Sequence, residues 1–588
     1  MDFMSILDGV NSVLWHDYVL FAVLGTGILF TLWSALGQYR ALTHGVQVVR
    51  GKYDDKSDPG AINHFQALST ALSATVGLGN IAGVAIAVSL GGPGAVFWMW
   101  VIGFVGMALK MTEVTQAMLF RDTTDPSNPH GGAMWVCKKG FAAISPKLAP
   151  LGVAVGGLFC LTLITSAVTG GNMFQAWNVA DISNQYFGMP KIAAGIILAL
   201  AVGMVIIGGI KRIGDVAGRI VPFMCGLYIL GGLVIIVLNF DRIPEMFGLI
   251  FVEAFQPSEA AGAFIGGSAG FAFLKGMQRA LFSNEAGQGS APIAHSAAKT
   301  DEPVREGVVA GLEPFIDTLV VCTITALVIL LSGAWNRPPA LGFDGPAPSF
   351  TEVSSEGGVH TWEISPVRVT VKDEVEAGGQ MREGSSVFLI VQGGPGSNGE
   401  TSADHHKVSG TLSQDGDAWV ANFDNFRTVE STAPTLVSDP EEHGVYFDFK
   451  GATLTAKAFD RTMPGLGAWI VPAGVWLFAF STIISWSYYG EQGVVYLFGT
   501  KAVMVYRLLY CALILVSATP FIRTEAELDV VSMLGTGVML WVNIPIMLIF
   551  GRTAMRAYHD YMRRMKAGEF HGHNIPPLAD VMEGKDVE

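Results

Sequence analysis

Charge is what this chain of 588 residues has least of: 15% of it is Asp, Glu, Lys or Arg, against 51% hydrophobic, with a mean hydropathy of +0.44. So small a polar fraction excludes a string of soluble domains and points to a polytopic membrane protein. Cysteine is scarce too. Cys137, Cys160, Cys225, Cys322 and Cys511 fall in apolar stretches or a basic loop without metal-ligand spacing, which argues against structural disulfides and a zinc module. No GxxxxGK[ST] loop is present to hold a nucleotide, and neither an HExxH motif nor a nucleophile–base set is present to equip an intramembrane hydrolase. The segment from Met1 to Asp17 has Asp2, Asp8 and Asp17 but no Lys or Arg, so the first apolar run reads as a retained helix rather than a cleavable signal.

What the chain does have is long hydrophobic runs. Scanning for about 18 or more mostly apolar residues gives eleven candidate spans, at 17–37, 61–90, 93–118, 150–178, 191–210, 216–239, 260–282, 306–333, 466–489, 502–520 and 527–550. Basic residues mark one side of them. Arg40, Arg50, Lys52 and Lys56 follow the first span, Arg121, Lys138, Lys139 and Lys147 the third, Lys211, Arg212 and Arg219 the fifth, Lys299 and Arg305 the seventh, and Arg552, Arg556, Arg563, Arg564 and Lys566 the last. The positive-inside rule puts these segments in the cytoplasm and the N-terminus outside; the membrane expected is the plasma (inner) membrane.

Composition shifts abruptly within 335–464. From Asn336 to Arg461 there are 19 acidic and 9 basic residues, a net of −10 out of the chain's −14. Val367–Val371, Ser386–Val391, Trp419–Phe423 and Val445–Phe449 read as short strands, with turns at Gly393–Gly396 and Asp415–Asp417. A small, acidic, β-rich extracytoplasmic domain is expected. Neither His405 and His406 nor His571 and His573 come with a metal framework.

Two spans carry glycine where a helix does not want it. Thr75-Val76-Gly77-Leu78-Gly79-Asn80 interrupts the second, and the glycines of Gly262–Gly270, each costing about 1 kcal/mol relative to Ala, interrupt the seventh. A broken helix frees carbonyls for a cation and N–H groups for a carboxylate. The broken spans lie five apart and so cross in opposite senses, as an inverted repeat of five helices requires. Spans two to six form one half and seven to eleven the other, with the first span an extra.

The run Ser283-Asn284-Glu285-Ala286-Gly287-Gln288-Gly289-Ser290-Ala291-Pro292-Ile293-Ala294-His295, with Thr300-Asp301-Glu302-Pro303, resembles the signature of the alanine or glycine:cation symporters, also called sodium:alanine symporters. So do Gly79–Gly83, Gly91–Trp100, Asp317-Thr318 and Phe478–Thr482. The resemblance does not extend to the acidic insert. It implies the leucine-transporter fold, an all-α polytopic membrane protein of 11 helices with the β-rich insert added. The chain then divides into an N-terminal helix and cytoplasmic connection (1–60), a transporter core (61–334 and 465–551), the insert (335–464) and a cytoplasmic tail (552–588). Its function would be symport of a small neutral amino acid, alanine or glycine, with sodium by alternating access, without an organic cofactor and as a monomer. A membrane sensor reading ligands through the insert is the alternative.

Carried over by motif, the resemblance places sodium on Thr75 and Asn80 at one site and on Ser73, Val76, Ala479 and Thr482 at another. It implies an amino-acid pocket of Gly77, Leu78, Gly79 and Asn80 from the second span and Gly266, Gly267, Ser268 and Gly270 from the seventh, with Thr482 and Trp486. Asn172 and Gln175, polar in an apolar span, are added, and Asp317 reads as structural or cation-pathway support. Lys110, Glu113 and Glu491 read as snorkelling or paired groups at helix ends.

Overall fold

The computed structural model describes residues 3–519 and 525–583, apart from 56, 259, 357, 378–379, 394–404, 429–430, 438–439, 450 and 570–577. Apolar runs become helices because in hydrocarbon only internal hydrogen bonding satisfies the backbone. Among the described residues seven helices are long and apolar enough to cross a membrane, or nine if each of two bent pairs is one span. In chain order these elements begin with α1 (Asp17–Trp33), the bent pair α2 (His64–Thr75) and α3 (Gly79–Gly91), α4 (Gly94–Phe120) and α5 (Pro146–Phe187). The shorter α6 (Lys191–Ile206) and the long α7 (Gly209–Leu238) follow, then α8 (Ala269–Asn284), α9 (Ala291–His295) and α10 (Pro303–Ser332). After a β region come α11 (Ala452–Thr462), α12 (Gly467–Phe498), α13 (Thr500–Ser517), α14 (Glu525–Ile549) and α15 (Gly551–Ala567), the last pair bent by 60°.

Loops expected on one side of the membrane do meet on one face. Gly60 donates to the Pro126 carbonyl at 2.8 Å, Arg121 to the Ser296 and Ala298 carbonyls at 3.1 and 2.9 Å, and Arg305 to the Tyr53 carbonyl at 3.1 Å. The tail folds back onto the same face, where Arg564 grips Glu302 with two bonds of 2.6 and 3.0 Å and Tyr561 meets His44 at 2.7 Å.

The β region lies on the other face. Seven antiparallel strands form one sheet in the order β1 (Leu341–Phe343), β4 (Val367–Val371), β7 (Ala418–Phe423), β6 (His405–Asp415), β5 (Ser386–Gln392) and β10 (Tyr446–Phe447), with β9 (Thr435–Leu436) also on β5. A second sheet runs β2 (Phe350–Glu356), β3 (Val359–Ile364), β8 (Phe426–Thr428). Three of the expected strands form nearly as read; the fourth shrinks to Tyr446 and Phe447, and the turn at 394–396 and the tail histidines 571 and 573 lie outside the described residues. His406 is buried against Phe426, with ring centroids 5.1 Å apart. Arg382 donates to the Gln185 carbonyl at 3.1 Å, tying the sheet region to the end of α5.

The expected insert range also contains α11, which packs with the membrane helices. Its Phe459 is fully buried and its Thr455 hydroxyl donates to the Ile81 carbonyl of α3 at 2.9 Å.

Candidate functional site

The first break forms as the glycines require. Asn63 and Gln66 box-cap the start of α2; the helix stops at Thr75, and α3 resumes at Gly79 after a 50° bend. Asn80 holds this corner, its side-chain oxygen accepting the Gly77 N–H at 2.8 Å while its amide donates to an Asp317 carboxylate oxygen at 2.5 Å. A Cβ on Gly77 would sit 2.6 Å from the Thr482 hydroxyl, so only glycine lets α12 approach this closely.

The second break is not where the glycine count put it. Gly262 and Gly266 adopt positive φ in the turn before α8, Ser258 and Gly267 pair as a bridge, and Ser268 caps α8 by accepting the Phe271 N–H at 3.1 Å. Those glycines serve a loop that presses against the carbonyls of Asn336 and Arg337. The chain comes apart later, between Asn284 and Ala291, inside the signature run. Glu285 takes a left-handed φ of 56°, and Gly287 and Gly289 both lie at 81°, which a side chain resists. Asn543 of α14 occupies the space beside Gly289, donating to the Gly287 carbonyl at 2.9 Å.

The two breaks face each other across a narrow pocket. It is lined by Gly77, Leu78 and Gly79 from the first, Glu285 and Gln288 from the second, Gln175 from α5 and Thr482 and Trp486 from α12. Gly266, Gly267, Ser268 and Gly270 do not line it, and Asn172 is drawn away, donating to the Tyr510 carbonyl at 2.7 Å. The free space is about 20 Å³ once a water radius is excluded from the walls, so an amino acid enters only if side chains shift. Trp486 lies against Gly171, where a Cβ would strike the indole, and its Nε1 donates to Glu285 at 3.1 Å. The other Glu285 oxygen accepts from Ser290 at 2.5 Å. The Gln175 side-chain oxygen is buried without a hydrogen-bond partner.

Oxygen clusters flank the pocket on two sides. Thr482 donates to the Ser73 carbonyl at 3.1 Å and Ser73 to the Ser481 carbonyl at 2.6 Å, which brings together the residues expected at one sodium site, with Ala479 buried one turn along α12 and Val76 ending α2. Thr75 spends its hydroxyl on the Ala71 carbonyl at 3.3 Å. On the other side Asp317, fully buried in a widened turn of α10, accepts from Asn80, from Ser283 at 3.0 Å and from Thr318 at 2.7 Å. No basic side chain pairs with it among the described residues. A buried carboxylate beside the Ser283 and Thr318 hydroxyls, with the Asn80 side chain within reach to turn its oxygen inward, offers the oxygen donors a hard cation such as sodium takes.

Glu285, Ser283 and Ser481 went unread in the sequence as site residues. An acid two residues ahead of Gly287-Gln288-Gly289, inside the signature run, was the available signal for Glu285. Lys110 and Glu113 do pair, at 3.9 Å, but not at a helix end reaching for water: they lie inside α4, 0% and 3% exposed. Glu491 does pair as expected, with Arg507 at 2.8 and 3.0 Å.

Comparison with known proteins decides the family. The sodium:alanine symporter family matches residues 1–363 and 424–574. The chain belongs to the sodium:alanine symporter family. It is 36% identical over 510 residues to the sodium/alanine symporter AgcS of Methanococcus maripaludis, covering 87% of each chain. To the sodium/proton-dependent alanine carrier protein of Bacillus sp. it is 28% identical over 521 residues, 87% of this chain and 91% of that one. A Haemophilus influenzae transporter is 31% identical over 573 residues, 97% of this chain and 98% of that one, so that alignment runs on through the acidic region that the family match skips. Membership makes this a multi-pass membrane carrier performing cation-coupled amino-acid symport, not an enzyme.

Proposed function

We propose that the chain couples sodium entry to uptake of alanine or glycine by alternating access. The observation that carries the reading is the meeting of two interrupted helices at one pocket, flanked by the Ser73–Thr482 and Asn80–Asp317 oxygen clusters. Sodium sits at those clusters, with Asn80 and Asp317 holding one ion and Ser73, Val76, Ala479 and Thr482 the other. The Gly77 N–H is already taken by Asn80, so the substrate carboxylate rests on the N–H groups of Leu78 and Gly79 at the start of α3. The ammonium goes to Glu285 and the free Gln175 oxygen rather than to Gly266–Gly270, while Trp486 limits the side chain to a methyl or a hydrogen.

Eleven crossings, with α6 and the α8–α9 pair each counted as one, keep the N-terminus outside and the tail in the cytoplasm of an inner membrane, in a monomer. A sodium ion crossing about 100 mV gains about 2.3 kcal/mol, and a tenfold gradient adds about 1.4 kcal/mol. One ion therefore sustains an amino-acid gradient of about 500-fold.

Uptake of radiolabelled alanine and glycine into proteoliposomes, with an inward sodium gradient and with potassium in its place, tests this. Uptake is expected only with sodium; transport indifferent to sodium, or carriage of large side chains in preference to alanine, would overturn it.

A further inference from the structure

The pocket and its cation clusters leave the buried groups below it unused. His64 in the first turn of α2, His295 ending α9, Glu306 and Glu313 in α10, and Lys110 and Glu113 in α4 are all at most 3% exposed. They form a chain. His295 meets Glu306 through Nδ1 and Glu313 through Nε2, both at 2.6 Å, and Glu306 meets His64 Nδ1 with its other oxygen. Lys110 lies 3.4 Å from Glu313 and 3.9 Å from Glu113. His64 Nε2, buried without a hydrogen-bond partner, points to the half-exposed Asp54 at 4.0 Å.

Proton counting constrains this chain. An imidazole flanked at both nitrogens by carboxylate oxygens at hydrogen-bond distance needs a proton in each gap: it is either an imidazolium between two carboxylates or a neutral ring beside a carboxylic acid. The buried carboxylates Glu113, Glu306 and Glu313 outnumber the one buried amine of Lys110, so protons on the imidazole–carboxylate chain are needed to offset the excess negative charge. Uncompensated charge at such depth is strongly unfavourable. Of the other charged groups nearby, Arg121 lies within electrostatic reach of Glu306 and offsets part of the excess while its guanidinium bonds the carbonyls of Ser296, Ala298 and Thr300; Arg305 donates to the Tyr53 carbonyl, and from the pocket side Glu285 and Asp317 face Lys110 and the neutral Tyr489 hydroxyl faces Glu313.

The chain also crosses the joint that inward opening must break. Below the pocket the residues leading into α2 are fastened to the segment after α9 by Ala61 N–H to the Ala297 carbonyl and Lys299 N–H to the Ile62 carbonyl, both 2.8 Å. We infer that His64, Glu306, His295 and Glu313 form a proton-binding site whose occupancy locks α2 against α9 and α10, closing the cytoplasmic half of the carrier. Parting α2 from α10 admits water, which solvates the carboxylates and weakens their hold on the proton, so opening releases it toward Asp54. By linkage, cytoplasmic protons then favour the closed form. The inference deepens the carrier reading and rests on it for the meaning of opening.

Sodium-driven alanine uptake into proteoliposomes, at fixed outer pH and saturating sodium, is measured while internal pH is varied. The wild-type initial rate is expected to be at least fivefold lower at internal pH 5.5 than at 8.0, and His295→Gln, which keeps polar contacts but does not titrate, to flatten that profile to within twofold. A wild-type rate that is flat or rises with internal acid, or the same step in H295Q, overturns the site. Hydrogen exchange of the α2 amides in the purified full chain covers the case of a variant that does not fold: wild-type protection, corrected for intrinsic rates, must fall between pH 6 and 8.5, and constant protection overturns the lock. Absence of any amino-acid uptake would instead remove the carrier reading and leave the exchange experiment to judge the lock.

Discussion

Asn80→Ala is the sharpest perturbation of the proposed cation site. Asn80 is fully buried, and its two polar atoms do different work: the oxygen satisfies the Gly77 N–H at 2.8 Å, and the amide donates to Asp317 at 2.5 Å. Truncation leaves a buried N–H unsatisfied, about 1–3 kcal/mol, and removes one charge-assisted bond of about 1.5–3 kcal/mol. These losses overlap, because the freed corner relaxes, so about 2–4 kcal/mol is expected in the sodium-bound state. That is about 30- to 1,000-fold in sodium-dependent uptake at subsaturating sodium. Asn80→Asp separates the two atoms: it keeps the acceptor for Gly77 but sets a second carboxylate against Asp317, so it should also fail at neutral pH. The assay is initial alanine uptake against sodium concentration, with monodispersity checked by size exclusion. A folded Asn80→Ala protein whose sodium half-saturation and maximal rate both stay within twofold of wild type would refute the assignment.

Trp486→Phe keeps most of the ring but loses the bond to Glu285, and should weaken alanine uptake about tenfold, consistent with one charge-assisted bond, without admitting larger substrates. Trp486→Ala should admit larger side chains, read by competition with leucine; unchanged selectivity would count against the size limit. Gly77→Ala should abolish uptake, since its Cβ would lie 2.6 Å from the Thr482 hydroxyl; normal uptake would mean that this approach is dispensable. Replacing 344–443 by a short glycine linker joins chain ends that Leu341 and Val445 already bring together through bonds of 3.0 and 2.8 Å, and should leave uptake within twofold. A cut of 340–460 should abolish it, because α11 goes too. Burial holds the His44 imidazole down at about 4 from its usual 6.5, beside Tyr561 of the tail. The unfolded chain binds that proton more readily, so thermal stability should fall as pH drops from about 6.5 toward 4, and His44→Gln should lessen the loss.

The sequence alone determined the solvent this protein folds in, the places where helices run, and the first break, because hydrophobic length and a glycine–amide corner are local properties. It also determined which loops share a face, since basic residues mark one side of a bilayer. Tertiary structure decided the second break. Glycine density pointed to Gly262–Gly270, but glycine serves a tight loop as readily as an unwound helix, and only the positive φ at Glu285, Gly287 and Gly289 shows which stretch was used. It likewise decided that Lys110, Glu113, Glu306, Glu313 and two histidines, from four separate helices, meet in one buried chain. Ionisable residues near helix ends look alike in a sequence whether they reach for water or for one another, and the choice belongs to packing between segments as much as 242 residues apart, far beyond the reach of any helical or strand period.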